Sequence, residues 1–181
     1  YKFENILSVP RGKLVEQHID GSATIRILHY PPYSGEIKKD QMRINEHTDY
    51  GSITLLWRFD DVPGLQVFDR GKEEWIDVPM IENSIVLNVG DMLQRWTNDL
   101  LKSTPHRVIN TEMTRSRYSM PYFVDPGRDV IIDNLTDQTD KYPPISANDY
   151  LKWRLAQSYT DNNYIENEDV ADEGAKHITN Y

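Results

Sequence analysis

This chain of 181 residues contains no Cys, so any metal it holds must be taken by its five His and its carboxylates. His47 and Asp49 stand two apart in Glu46-His47-Thr48-Asp49, and in extended backbone that spacing sends both side chains to one face. By itself a His-x-Asp is an ordinary polar pair. A third ligand changes its weight, and His106 supplies one from a second extended segment, where Pro105 biases Thr104 away from helix and helps to orient the imidazole. Two imidazoles and one carboxylate on one side of a metal leave three adjacent positions open, which is the facial triad of non-haem Fe(II) oxygen chemistry.

A second anchor follows eleven residues later. Arg117 and Ser119 are again two apart, so a guanidinium and a hydroxyl point the same way, suited to gripping a carboxylate with a bidentate fork and one further hydrogen bond. Without the triad they would read as a surface Arg beside a cross-strand Ser. Beside it they read as a co-substrate clamp.

Strands must position these groups. Short β-branched and aromatic runs between Gly, Pro, Asn and Asp predict strands near 23–30, 42–47, 52–58, 65–69, 74–78, 84–89, 91–96, 104–110 and 117–124. Eight or nine strands at this spacing make a mainly β sandwich, jelly roll or barrel. Hairpin turns are predicted at Asp69-Arg70-Gly71-Lys72 and Val89-Gly90-Asp91, with Gly supplying the positive φ. Residues 1–20 give no clear pattern. One helix is predicted over 146–159, opened by a capping box of Ser146 and Asp149, with Ala147, Tyr150, Leu151 and Leu155 on one face.

Composition narrows the partners. The net charge of −9 repels phosphate backbones and anionic bilayers. No apolar run approaches the roughly 18 residues of a membrane span. A small-molecule substrate is therefore expected, with neither nucleic acid nor membrane as partner. The absence of Cys fits a reducing compartment such as the cytoplasm, although the chain starts at Tyr1 and an upstream signal could precede it. The apolar share falls below the roughly 45–50% of a typical domain, and the acidic stretch 161–181 is expected to be a solvated, flexible tail.

Several of the remaining residues have plain structural readings. His18 and His177 lie in polar flanks and read as solvated. His29 must face away from its neighbour Tyr30 and reads as packed or on the surface. Trp57, Trp75, Trp96 and Trp153 read as packing residues. Asp91 reads as serving its turn, and Arg107 as structural.

Taken in order, HYPP at 29–32, HTDYGSITLL at 47–56, GLQV at 64–67, NVGD at 88–91, WTN at 96–98, STPHRV at 103–108 and RYS at 117–119 resemble the 2-oxoglutarate and Fe(II)-dependent dioxygenases, in the branch that includes isopenicillin N synthase. The resemblance runs from about residue 25 to 124, and more loosely through the predicted helix. It implies a double-stranded β-helix, a cupin-like jelly roll, with Fe(II) held by His47, Asp49 and His106. It also implies that Arg117 and Ser119 bind the distal carboxylate of 2-oxoglutarate with help from Tyr30. The implied reaction oxidises a small molecule with O₂, most simply by hydroxylation, and releases succinate and CO₂. An oxidase of that branch that does not use 2-oxoglutarate, and a non-catalytic jelly-roll binding or sensor module, are the other readings.

Two departures stand beside the resemblance. Many plant members carry Asn where this chain has Leu28. Members also carry a further helical segment before the region seen here, so the chain is expected to be the catalytic part, organised as an upstream remnant (1–21), the oxygenase domain (22–160) and the tail (161–181). Substrate contacts are expected from the segments 33–43 and 58–63 and from the region after Asp125.

Overall fold

The computed structural model describes residues 2–39, 41–136 and 141–158. In chain order they form α1 (Lys2–Leu7), α2 (Lys13–Gln17), β1 (Gly21–Ile25), β2 (Leu28–Tyr30), β3 (Ile44–His47), β4 (Ile53–Arg58), β5 (Leu65–Asp69), β6 (Glu74–Asp77), β7 (Val86–Val89), α3 (Asp91–Trp96), β8 (His106–Val108), β9 (Arg117–Gly127), β10 (Ile131–Ile132), β11 (Ile145–Ser146) and α4 (Ala147–Ser158).

The strands make two antiparallel sheets. One runs β1-β9-β4-β7, with β2 also paired to β9; the other runs β3-β8-β5-β6; and β10 with β11 adds a short ribbon. Alternation decides what lies between the sheets. Along β4, Thr54 and Leu56 are buried while their neighbours are only partly so, and Leu56 packs with Leu65 of β5 and Val108 of β8 from the opposite sheet. This is the expected jelly roll, and the same Leu56, Leu65 and Val108 form part of the wall of a cavity between its sheets.

The 11-residue β9 is the spine of the larger sheet. It carries β1 and β2 on one edge and β4 on the other: Ser119 pairs with Leu28 on one side and Arg58 on the other. Pro121 has no N–H to give, and the break between β1 and β2 falls near it, with the Arg26 N–H donating to the Pro121 carbonyl at 3.1 Å.

A second core lies under the helices, where Leu7, Leu14, Met92, Trp96, Ile132, Ala147 and Tyr150 are buried together. Residues 2–20, unreadable from pattern, fold because buried Glu4 organises them. Its carboxylate accepts the N–H groups of Gly12 (2.9 Å) and Leu14 (2.8 Å) at the start of α2, and these bonds hold it below the usual carboxylate pKa.

α4 starts as its capping box predicts. The Asp149 N–H donates to Ser146 Oγ at 3.1 Å, and Ser146 Oγ donates to Asp149 Oδ2 at 2.7 Å. Of the predicted inward face, Ala147 and Tyr150 are buried, whereas Leu155 is exposed.

Four expectations are corrected. Residues 91–96 form α3, not a strand: all six side chains are buried, so the segment shows no one-sided periodicity to read. Gly90 accordingly precedes a helix, with φ −97°, and makes no hairpin. The β5–β6 hairpin forms around Asp69, whose Oδ1 accepts the Gly71 and Lys72 N–H groups, but the residue of positive φ there is Glu73, not Gly71. Helix also extends beyond the one predicted segment, into α1, α2 and α3. The acidic stretch 161–181, with His177, lies outside the described residues.

Candidate active site

β3 and β8 pair so that His47 stands directly opposite His106, with ring centroids 4.2 Å apart. Each imidazole is oriented from behind. A carbonyl can only accept, so Nδ1–H of His47 donates to Asn45 O (2.8 Å) and Nδ1–H of His106 to Thr104 O (3.1 Å). That fixes the tautomer that leaves the Nε2 lone pair free for a metal. Asp49, just past the end of β3, brings Oδ1 to 3.7 Å from His106 Nε2, while its Oδ2 accepts Asn88 Nδ2 at 3.3 Å. One ligand atom from each of His47, Asp49 and His106 lies within 4.8 Å of the others. Burial, and then the neighbouring His106, hold the His47 imidazole below its ordinary pKa, so the neutral, ligating form is favoured.

The turn that carries Asp49 is clasped by the start of α3. Asp49 O accepts the Asp91 N–H at 2.8 Å, Tyr50 O and Gly51 O accept the Met92 N–H at 3.2 and 3.1 Å, and Ser52 O accepts the Gly90 N–H at 2.9 Å. Such contact needs a residue without a side chain: a Cβ on Gly90 would lie 2.2 Å from Gly51 O.

Behind the triad a cavity of about 470 Å³ runs between the sheets, lined among others by Tyr30, Thr54, Asn88, Arg117 and Ser119. Arg117 and Ser119 are each 2% exposed and point the same way from β9. Tyr30 is the cross-strand partner of Arg117, whose guanidinium carbon lies 4.9 Å from the Tyr30 ring centre. Buried polar atoms are normally hydrogen-bonded, yet Arg117 Nη1, Tyr30 OH and Thr54 Oγ1 are buried without a partner. An anionic ligand reaching between the sheets would satisfy them, and the donors present therefore fit a carboxylate co-substrate as the triad fits a divalent metal. Burial, and then the charge of Arg117, lower the affinity of Arg43 and Arg58 for their protons, and the Arg43 guanidinium carbon lies 5.6 Å from the Tyr30 ring centre.

All six residues singled out from the sequence thus line one cavity. The described residues of the segments 33–43 and 58–63 do not line it; Ser158 does so from the region after Asp125, and Arg26, Tyr50 and Phe123 line it as well. His18 is not solvated. Its Nδ1–H donates to Leu14 O at 2.6 Å and its Nε2 accepts from Ser52 Oγ at 2.8 Å, tying the amino-terminal helices to the ligand turn. Asp91 does more than serve a turn. Its Oδ2 accepts Thr48 Oγ1 at 3.0 Å and pairs with Arg154 at 2.9 Å, and burial raises its pKa against the pull of Arg154. As read from the sequence, Arg107 is structural, bonded to Gln66 and stacked on Trp75, and His29 lies at the surface against Tyr118. Sequence reasoning misses Asn88, Thr54 and Arg154. Carrying the alternation of β7 and β4 into the cavity would have found Asn88 and Thr54, but nothing local marks Arg154.

Among known proteins, residues 21–126 match the family model of the 2OG-Fe(II) oxygenase superfamily. The chain is 41% identical over 145 residues to the 2-oxoglutarate-Fe(II) type oxidoreductase hxnY of Emericella nidulans, covering 77% of this chain and 41% of that protein. It is 40% identical over 152 residues to the proline hydroxylase buaE of Petromyces alliaceus, covering 76% and 47%. A full-length Neurospora crassa protein, crystallised in complex with alpha-KG and thymine, superposes with a TM-score of 0.77 at 38% identity, over 84% of this chain and 49% of that one. The chain spans about half the length of the relatives it matches. No helix among the described residues is long and apolar enough to cross a membrane.

Proposed function

The chain belongs to the 2OG-Fe(II) oxygenase superfamily, and on that premise we propose that it supplies the catalytic part of an Fe(II)- and 2-oxoglutarate-dependent oxygenase that oxidises a small molecule, most simply by hydroxylation. The observation that carries this reading is the convergence of His47, Asp49 and His106 within 4.8 Å, with both Nδ1 atoms already committed to backbone carbonyls. When bound, Fe(II) would couple oxidative decarboxylation of 2-oxoglutarate to activation of O₂, yielding succinate and CO₂.

The roles of the protein are to bind, orient and exclude water. His47, Asp49 and His106 would hold the metal, and all three face the cavity that the co-substrate would enter. Arg117 receives the distal carboxylate of the co-substrate in its planar fork, Ser119 adds a hydroxyl, and Tyr30 lends its phenol. Asn88 steadies the second oxygen of Asp49. Because these donors sit on rigid strands, the co-substrate is presented in one orientation.

The catalytic unit proposed here is the stretch 22–160. A cavity of about 470 Å³ suits a small metabolite rather than a polymer. The Neurospora crassa complexes holding thymine and 5-formyluracil and a relative named as a proline hydroxylase support a small substrate without selecting one. The names of the relatives also favour 2-oxoglutarate over the oxidase and the non-catalytic module. The test is anaerobic titration with Fe(II) and then 2-oxoglutarate. A visible charge-transfer band, followed by metabolite-stimulated succinate release, is expected; no band with the wild-type chain, or one that persists in His106→Ala, would overturn the proposal.

A further inference from the structure

We propose that Arg154 is a positioning residue for the metal centre: reaching from α4, it clamps Thr48 and Asp91 and so fixes the turn on which His47 and Asp49 are carried. The inference rests on the reading of His47, Asp49 and His106 as the metal-holding set.

Alternation turns Thr48 away from its neighbours His47 and Asp49, out of the cavity. There its hydroxyl closes a triangle. Thr48 Oγ1 donates to Asp91 Oδ2 at 3.0 Å and accepts Arg154 Nη2 at 2.9 Å, and the same Nη2 stands 2.9 Å from the same Oδ2. Asp91 is buried, so its charge needs this cation. Both ends of the triangle return to the ligand turn, for the Asp91 N–H also donates to Asp49 O.

α4 touches the turn at two more places. The Arg154 guanidinium lies 4.6 Å over the ring of Tyr50, the residue after Asp49, and Tyr50 OH is hydrogen-bonded to Ser158 Oγ at the end of the helix. Tyr50 and Ser158 both line the cavity. If α4 only covered the helical core, its buried Ala147 and Tyr150 would suffice. Its last turns instead bond on both sides of Asp49, so the docking of this helix and the convergence of the ligands are one event. Residues that orient metal ligands typically change metal affinity about 10–100-fold when lost.

The test uses the whole chain with Co(II) as the metal probe, and compares Arg154→Met, Arg154→Lys and Thr48→Val. Arg154→Met keeps the stem and loses the charge, and Thr48→Val removes only the hydroxyl. Both should weaken Co(II) binding by roughly 10–100-fold, the double variant should lose little more than either single one, and Arg154→Lys should recover part of the loss. Hydrogen exchange over residues 45–52 of the metal-free chain should rise in the same variants. Wild-type Co(II) affinity in Arg154→Met and Thr48→Val, with only a lower melting temperature, would overturn the clamp. So would unchanged exchange over 45–52. Failure of the wild-type chain to bind Co(II) would instead sink the proposed function, and the exchange measurement would still decide whether the clamp orders the turn.

Discussion

His47 and His106 are cross-strand partners whose rings face each other at 4.2 Å while their Nδ1 atoms are drawn back onto Asn45 O and Thr104 O. Two imidazoles held this close, each with its donor nitrogen turned away, present two lone pairs to one point. The arrangement costs ordering entropy and brings repulsion whenever both rings are protonated, and a shared metal offsets both.

Replacing either ring tests this directly. His47→Ala, Asp49→Ala and His106→Ala should each abolish metal-dependent succinate formation and weaken Fe(II) binding beyond the roughly 10–100-fold that loss of an orienting partner causes. Anaerobic calorimetric titration reads the affinity. Turnover at the wild-type rate by any of the three would remove that residue from the site.

Acid should release the metal later than an unperturbed imidazole would. The His47 pKa is depressed in the fold by burial and by His106, so the neutral ring persists below the ordinary value of about 6.5, and metal affinity should fall with a midpoint under it. The same sign governs the metal-free chain. The unfolded chain takes up the His47 proton first as pH falls below about 6.5, so this residue subtracts stability from there down to its folded pKa. Co(II) titrations and urea midpoints across pH measure the two effects, and a metal midpoint above about 6.5 would contradict the first.

At the other end of the cavity, Arg117→Lys keeps the charge and loses the fork. Loss of a hydrogen bond to a charged group costs about 1.5–3 kcal/mol, so the 2-oxoglutarate concentration for half-maximal rate should rise roughly ten- to a hundred-fold with metal affinity unchanged. Tyr30→Phe should have a smaller effect in the same direction, about 1 kcal/mol. An unaltered half-maximal concentration in Arg117→Lys would assign the carboxylate to another residue.

Gly90→Ala puts a methyl group 2.2 Å from Gly51 O and 3.2 Å from Asp49 O. Both contacts are backbone, so the turn and α3 must part. Overpacking of this kind costs about 1–3 kcal/mol or more, and metal affinity should fall alongside it. Urea denaturation and Co(II) titration on one preparation check both, and a variant that binds Co(II) normally would separate the turn from the site.

What could be read in advance followed from the range of each interaction. That His47 and Asp49, and Arg117 and Ser119, would face one cavity was legible because spacing of two in extended backbone gives a common face, and this holds although Asp49 stands just past the end of β3. β4 and β5 were legible from their β-branched and aromatic alternation. α3 was not, because Asp91, Met92, Leu93, Gln94, Arg95 and Trp96 are all enclosed and enclosure erases the contrast that reveals a period. His18 looked solvated because Ser52, its partner, lies 34 residues away. Arg154 was invisible for the same reason, being 106 residues from Thr48.

The charge of Arg117, felt by both Arg43 and Arg58, carries a thermodynamic consequence of its own. Repulsion from buried Arg117 opposes the fold, and a carboxylate seated against it in the cavity turns that repulsion into attraction. Occupancy by the co-substrate should therefore act as a brace on the whole jelly roll. A ligand present at about a hundred times its dissociation constant adds about 2.7 kcal/mol to the folded state, and a thermal-shift series with 2-oxoglutarate should trace that gain and lose it in Arg117→Met.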